Sequence, residues 1–569
     1  MLDRKMHNRE PYGETAAARP RGVTLSPTRL IPPDAAVLLI LFVVTLSLQW
    51  ASGAHSAALG AQPDEASHYV TGVMVRDYIT RGLPGNPVTF AKDFYVHYPR
   101  VAFGIWPPLF HMLSGVWMLA FGTDRMSVMF LLAALTAIWA FIFYRIGRPV
   151  LGTSGAAVSA FLLVSLPTTQ MSTSEVMLDM PLAVIMLIAM GAYTRYLERE
   201  RTADAFMFGL CAAVALLVKY NALALALLPP LCIVITGRHY LWRSKSFWLP
   251  AAVVLVVAGP WYVIMRHLVL YAADPGGSWP PVGPALAATA KGIIFVAGPV
   301  MFVLAVIGCV LVRLNIRRRL RVVTSKHQSL YVVAAAMVLA VFLFHGAIYP
   351  LYEARYLLPA APALILLSWP TVGYIHSVLG DRPVLAAAAL FAVAAAHAAS
   401  TFVVPAKKTS AYVGAAEAVL ACGLPRNGAV LVSADVLGEG MLTAEFVMRD
   451  SRPDHYVVRA SKVLGTQTLM GKKYRLKYQS PEEMMTALDS IPIAIVVIQQ
   501  CPEGQCGEHE NVLTQAAARY PERWRLSSVI SSETGSPILI YQITGNEGKA
   551  VRTLNIDMTH TLGTTFEKR

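Results

Sequence analysis

The chain has 569 residues, of which 55% are hydrophobic and only 14% charged. A soluble domain carries roughly a quarter charged residues, so most of this chain does not read as a water-soluble globule. The net charge of +14 would suit nucleic-acid binding, but the basic residues sit between apolar runs and no basic patch with interleaved aromatics stands out, which excludes that class.

Residues 1–34 are polar and rich in Arg and Pro, which predicts a disordered head. The first apolar run lacks a small-residue cleavage site and reads as a retained span, not a signal peptide. A membrane helix needs about 20 mostly apolar residues, and as few as about 17 serve. Runs of that kind, several of them short, lie at 35–53, 126–145, 153–168, 180–197, 205–220, 222–236, 248–267, 291–312, 330–349, 357–376 and 384–404. Residues 104–122 are also apolar, but charge argues against a crossing there. With the head inside, the groups Arg145 and Arg148, then Arg195, Arg199 and Arg201, then Arg238, Arg243 and Lys245, then Arg313 to Lys326 all fall on the inner side if 104–122 stays out of the membrane. They all fall outside if it crosses, against the positive-inside bias. The expectation is therefore an α-helical polytopic protein of about eleven spans, with residues 104–122 lying at the outer surface.

This topology makes 35–404 a transmembrane domain with a large first outer loop at 54–125. Residues 405–569 become an extracytoplasmic domain, with the N-terminus cytoplasmic and the protein multi-pass in a plasma or inner membrane. The tail has strand-like runs at Ala429–Ser433, Tyr456–Arg459 and Ile493–Ile498, separated by helix-like segments such as Gly440–Arg449 and Pro481–Leu488. That alternation predicts a small α/β domain. Cys501 and Cys506 bracket a short loop and would form a disulfide in an oxidising compartment. Cys211, Cys232 and Cys309 lie in apolar runs as small hydrophobes.

The chemistry-bearing residues cluster on the outer side. Pro63-Asp64-Glu65 follows the first span, with His68 and Tyr69 close behind. These residues suit a helix first turn; they equally suit a general base, since a carboxylate near a low-dielectric surface can accept a hydroxyl proton. Asp179 opens the fourth span, either as an N-cap or as a functional acid at membrane depth. Lys219 ends an apolar run and must snorkel outward or meet an anion. Arg355 either pairs with Glu353 or clamps a phosphate in fork geometry. His97, Tyr98, Arg100 and Trp106 read chiefly as interfacial anchors, with sugar stacking as the alternative. His68 alone is weak evidence for a metal.

The set resembles the polytopic glycosyltransferases of the GT-C fold, most of all the protein O-mannosyltransferases and the transferase that adds aminoarabinose to lipid A. Four short motifs carry the resemblance, in order between residues 60 and 360: Pro63-Asp64-Glu65 with His68 and Tyr69; Trp106-Pro107-Pro108-Leu109-Phe110, running to Gly122 and Arg125; Leu178-Asp179-Met180-Pro181-Leu182; and Arg355-Tyr356-Leu357-Leu358-Pro359. The resemblance implies a polyprenyl-phosphate sugar donor and inverting transfer to a lipid, glycan or protein hydroxyl on the periplasmic face. It implies Asp64 as the catalytic acid–base residue with Glu65 in support. Asp179, Lys219, Arg355, Tyr356, His68 and Trp106 would bind substrate. No cofactor is certain; a divalent cation is open, with Asp179 or Glu65 as its carboxylate. The tail does not resemble the repeat domains of eukaryotic protein mannosyltransferases.

Two other classes compete. A transporter or flippase of a lipid-linked precursor would show broken helices paired across two repeated halves, and no internal repeat is evident. A non-catalytic scaffold would have no need of Asp64 and Asp179 facing one compartment.

Overall fold

The computed structural model describes residues 33–102, 104–273, 280–318, 327–350, 353–379, 383–401, 403–407, 411–466, 474–502, 506–531, 536–558 and 564–568. The head expected to be disordered falls almost wholly outside these.

The first helix, Pro33–Ala51, is apolar throughout. Its two ends mark the two faces of the bundle. At its start, Arg145 and Arg148 donate to Asp34 at 2.9 and 3.0 Å. Near its end, Gln49 donates to the carbonyls of Met129 and Thr173 at 3.1 and 2.6 Å. The stretch from 125 to 150 therefore runs antiparallel to it. The helical stretch Arg125–Ser165 breaks at Gly152, whose φ of 70° a side chain would resist, and so divides where two spans are expected.

Five described helices are long and apolar enough to cross a membrane, or six if one bent pair is a single span. The expected count of eleven depends on shorter apolar helices such as Thr202–Leu216 and Lys245–Val257. Two expected spans are not continuous. Residues 248–267 fall across three short helices, Lys245–Val257, Gly259–Ile264 and Arg266–Ala273. Residues 291–312 straddle a 103° bend between Val282–Ala297 and Pro299–Leu314. Gly298, at φ 80°, ends the first of these helices and Pro299 starts the second.

The helix in the ambiguous segment is Leu109–Phe121, 13 residues. It is about 20 Å long, short of the ~30 Å hydrocarbon core. Phe110, His111, Ser114, Gly115 and Met118 face inward, while Met112, Leu113, Val116 and Leu119 stay exposed. It packs on the helix Glu65–Thr80. A Cβ on Gly115 would stand 2.7 Å from Val75, so a glycine is needed for this approach.

The tail forms a five-stranded sheet in the order Tyr456–Arg459, Ala429–Ser433, Ile493–Gln499, Ile538–Ile543, Trp524–Ile530. The first three are mutually parallel and the last two antiparallel additions. The expected strands and the helices Val436–Arg449 and Pro481–Ser490 are present. On the strand 429–433, Val430 and Val432 join the large core shared with the membrane helices, while Ala429 and Leu431 face a second core. Strands buried on both faces read as continuous apolar runs, which is why they were visible in the sequence. A disulfide joins Cys501 and Cys506.

The tail is docked on the first outer loop. Helix Val436–Arg449 packs against Glu65–Thr80, Arg452 pairs with Asp77 at 2.9 Å, and Arg125 pairs with Glu445. His97 stacks on Tyr456 at 4.0 Å, and Tyr98 donates to Asp450. The reading of His97, Tyr98 and Arg100 as membrane-interface anchors is corrected by this: they are buried against the tail, because its polar groups satisfy theirs.

Candidate active site

Asp64 occupies the N-cap position of helix Glu65–Thr80, yet its side chain makes no capping hydrogen bond. The plain first-turn reading therefore leaves the half-buried carboxylate without a job. Burial raises its pKa above the ordinary 3.8, against the pull of Arg355, Arg100 and Lys219, and the charge of Asp179 adds to the rise. All four groups lie near enough to act on it.

Glu65, its neighbour, is fully buried and fully bonded. One oxygen accepts from Lys407 Nζ at 2.5 Å and from the Val176 amide at 3.1 Å; the other accepts from the Ala61 amide at 2.8 Å. Such a carboxylate holds three chain segments together.

Asp179 starts the helix Asp179–Arg199 and is 2% exposed. Lys219 Nζ lies 2.7 Å from its Oδ1 and Arg355 Nε 3.7 Å from its Oδ2. Both cations come from breaks in helical runs. Lys219, in extended conformation at φ −156°, separates Thr202–Leu216 from the 3-10 turn Tyr220–Leu227. Arg355 lies in the 3-10 turn Ala354–Ala360 after the helix Gln328–Leu343. Irregular backbone at membrane depth persists where it is buried in protein or lines a cavity. Of the two readings for Lys219, the anion is the one observed: it is 2% exposed and does not snorkel. Arg355 also approaches Glu353, at 3.7 Å. Among the described residues, its buried Nε and Nη1 have no hydrogen-bond partner.

Aromatic rings wall the cations. Lys219 Nζ stands 4.2 Å over the Tyr356 ring and 5.9 Å from Trp106. Trp106 lies parallel to Tyr220 at 5.5 Å, and 5.7 Å from His68. His68 Nδ1 meets His111 Nε2 at 3.1 Å, and burial holds both imidazoles neutral, His111 down to about 4.

The eight sequence-selected residues thus converge at one end of the bundle. Sequence reasoning missed four others. Lys407 follows the last apolar run, and nothing local links it to Glu65. His111 is hidden in an apolar helix. Glu175, four residues before Asp179, is buried, and its pKa is pushed up to about 7 by burial and by Glu65. Arg100 was counted as an anchor; it donates to the Pro63 carbonyl at 3.4 Å and to the Val436 carbonyl of the tail.

Residues 106–264 match the family model of dolichyl-phosphate-mannose-protein mannosyltransferases. The apo structure of ArnT from Cupriavidus metallidurans is similar in fold, with a TM-score of 0.52 at 14% identity, over 90% of this chain and 99% of ArnT. The oligosaccharyltransferase AglB from Archaeoglobus fulgidus, solved with an inhibitory peptide and a dolichol-phosphate, aligns with a TM-score of 0.50 at 12% identity, over 90% of this chain and 74% of AglB. This chain has the GT-C fold. A second Archaeoglobus fulgidus oligosaccharyltransferase structure, in complex with Zn and sulfate, shares the fold with a TM-score of 0.50 at 14% identity, over 89% of this chain and 73% of that one. No curated protein matches in sequence.

No cofactor is established for this fold by the residues described. Glu65 and Asp179 each accept a lysine ammonium on one oxygen, at 2.5 and 2.7 Å, and among the described residues Asp179 Oδ2 accepts no hydrogen bond. Among the described residues the one cluster with metal-ligand spacing is Cys501, Cys506 and Glu510, and its two sulfurs are bonded to each other.

Proposed function

We propose that the protein is an inverting glycosyltransferase that moves a sugar from a polyprenyl-phosphate donor to an acceptor hydroxyl on the outer face of the membrane. Asp64 takes the hydroxyl proton. The acceptor oxygen forms a bond to the anomeric carbon as the bond from that carbon to the phosphate oxygen breaks, and the electron pair leaves with the polyprenyl phosphate. Arg355 and Lys219 stabilise the negative charge that develops there. Trp106 and Tyr356 wall the sugar, and His68 and His111 stay neutral behind Trp106.

The observation that carries this reading is Arg355. Among the described residues its buried Nε and Nη1 make no hydrogen bond, and Nε lies 3.7 Å from Asp179, the carboxylate that the Lys219 ammonium also contacts. Buried donors left unpaired are costly, and a guanidinium offers them in a fork that matches phosphate oxygens. The raised pKa of Asp64 suits a base that must work near neutral pH. The dolichol-phosphate bound to AglB, a protein of the same fold, supports a lipid phosphate as the leaving group.

The domain arrangement follows from the same reading: residues 35–404 form the transferase body and 405–569 an extracytoplasmic domain, with the N-terminus cytoplasmic and the protein in the inner membrane. The tail helix Val436–Arg449 then closes one side of the site. The test uses purified protein, a polyprenyl-phosphate mannose and a polyprenyl-phosphate arabinose, and measures free polyprenyl phosphate. Release by wild type and not by Asp64→Asn supports the reading. Equal release by both removes Asp64 from the mechanism.

A further inference from the structure

At the opposite end of the bundle a groove of about 530 Å³ opens among the helices Leu228–Thr236, Pro299–Arg318, Gln328–Leu343 and Ala361–Val378. That volume lies in the range of ligand pockets, ~300–1,000 Å³. Val234, Phe302, Val306 and Leu339 give it an apolar wall, and Arg313 is the one charged residue in its lining. Val234, Val306 and Leu339 are themselves exposed, so the wall runs out onto the lipid-facing surface.

Its position follows from a chain of contacts. Arg313 Nη1 donates to the Ile235 carbonyl at 3.3 Å. Three residues on, Arg238 donates to the Leu197 carbonyl at 2.5 Å. Leu197 lies in the last turn of the helix that Asp179 begins, and the rise of an α-helix separates the two by about 27 Å. The groove therefore reaches the membrane face away from Asp64, Lys219 and Arg355, and it is not the donor phosphate site.

Arg313 is exposed at its rim and forms no ion pair with any described residue. A guanidinium beside hydrocarbon is costly unless it meets an anion. The adjoining solvent on this surface is lipid, whose chains fill an apolar groove and whose anionic headgroups sit at the depth of a residue near a helix end. The sequence continues with Arg317, Arg318, Arg319 and Arg321, a basic cluster of the kind that draws anionic lipid to a membrane surface.

We propose that this groove holds one acyl chain of an anionic phospholipid, with the lipid phosphate paired to Arg313. The test is native mass spectrometry of the full-length protein in detergent, titrated with phosphatidylglycerol or with phosphatidylcholine of the same chains. Wild type is expected to retain phosphatidylglycerol about fivefold better. Arg313→Gln abolishes that preference and Arg313→Lys keeps it. Ala335→Phe, which narrows the groove from its half-buried rim, lowers retention of both lipids. Thermal unfolding of each variant establishes that it is folded. No preference in wild type, the same preference in wild type and Arg313→Gln, or a loss of undecaprenyl phosphate retention in Arg313→Gln greater than its loss of phosphatidylglycerol overturns the proposal.

Discussion

Lys407 Nζ lies 2.5 Å from Glu65 Oε1, joining the segment after the last membrane helix to the residue beside Asp64. The same ammonium donates to the Ser174 carbonyl at 3.0 Å. Both side chains are nearly inaccessible, Glu65 at 0% and Lys407 at 6%. Removing one partner of such a pair strands the other charge and costs about 3–5 kcal/mol. Lys407→Met is therefore expected to lower the thermal midpoint markedly, while Glu65→Gln with Lys407→Met together costs less than the sum of the two. Additive losses would show that the two residues act separately.

Asp64→Asn should reduce turnover on the order of 10²–10⁴ with little change in donor KM. A carboxyl whose folded pKa lies above its unfolded value favours the protonated native state. Its ionisation then costs stability as pH rises from the unfolded pKa through the folded one. So Asp64→Asn should be more stable than wild type at neutral pH, though far less active. As the base must be ionised, wild-type kcat/KM should fall on the acid side at a pH above the usual carboxylate range, and that limb should vanish from the residual activity of the variant. Calorimetry and a pH–rate profile test both.

Arg355→Gln should weaken the site by both binding and rate, and Arg355→Lys should not restore it, because an ammonium cannot reproduce the fork. Lys219→Met is a different case. It removes the closest cation from a buried Asp179, so it should cost about 3–5 kcal/mol in stability. Asp179→Asn with Lys219→Met should recover much of the fold but not the activity. Denaturation in detergent and donor turnover, measured on all four variants, separate these outcomes.

Arg100 bridges the carbonyl before Asp64 to the first residue of the tail helix Val436–Arg449. Its guanidinium passes so close to Gly440 that a Cβ there would stand 3.0 Å from Nη2. Arg100→Met should lower kcat by up to about 10²-fold through displacement of Asp64, and Gly440→Val should do the same without touching the loop. Unchanged kcat in both would mean that the tail does not position Asp64.

The bilayer and the α/β tail were readable from composition and periodicity, because hydrocarbon demands long apolar runs and a buried parallel sheet demands short ones; the four motifs were readable only through their resemblance to a known family. Asp64, Asp179, Lys219 and Arg355 were readable for the related reason that charges are conspicuous beside apolar runs. What they do to one another was not. Lys219 pairs with a residue 40 positions away, and Lys407 with one 342 positions away. The 103° bend at Gly298–Pro299 lies inside a run that looks continuous by hydropathy. Loop aromatics that suit a membrane interface suit a domain interface equally well, so only the docked tail could assign His97 and Tyr98. Local pattern reports which residues avoid water; ion pairs, helix breaks and the wall of the site depend on which segments meet, and that is settled by packing.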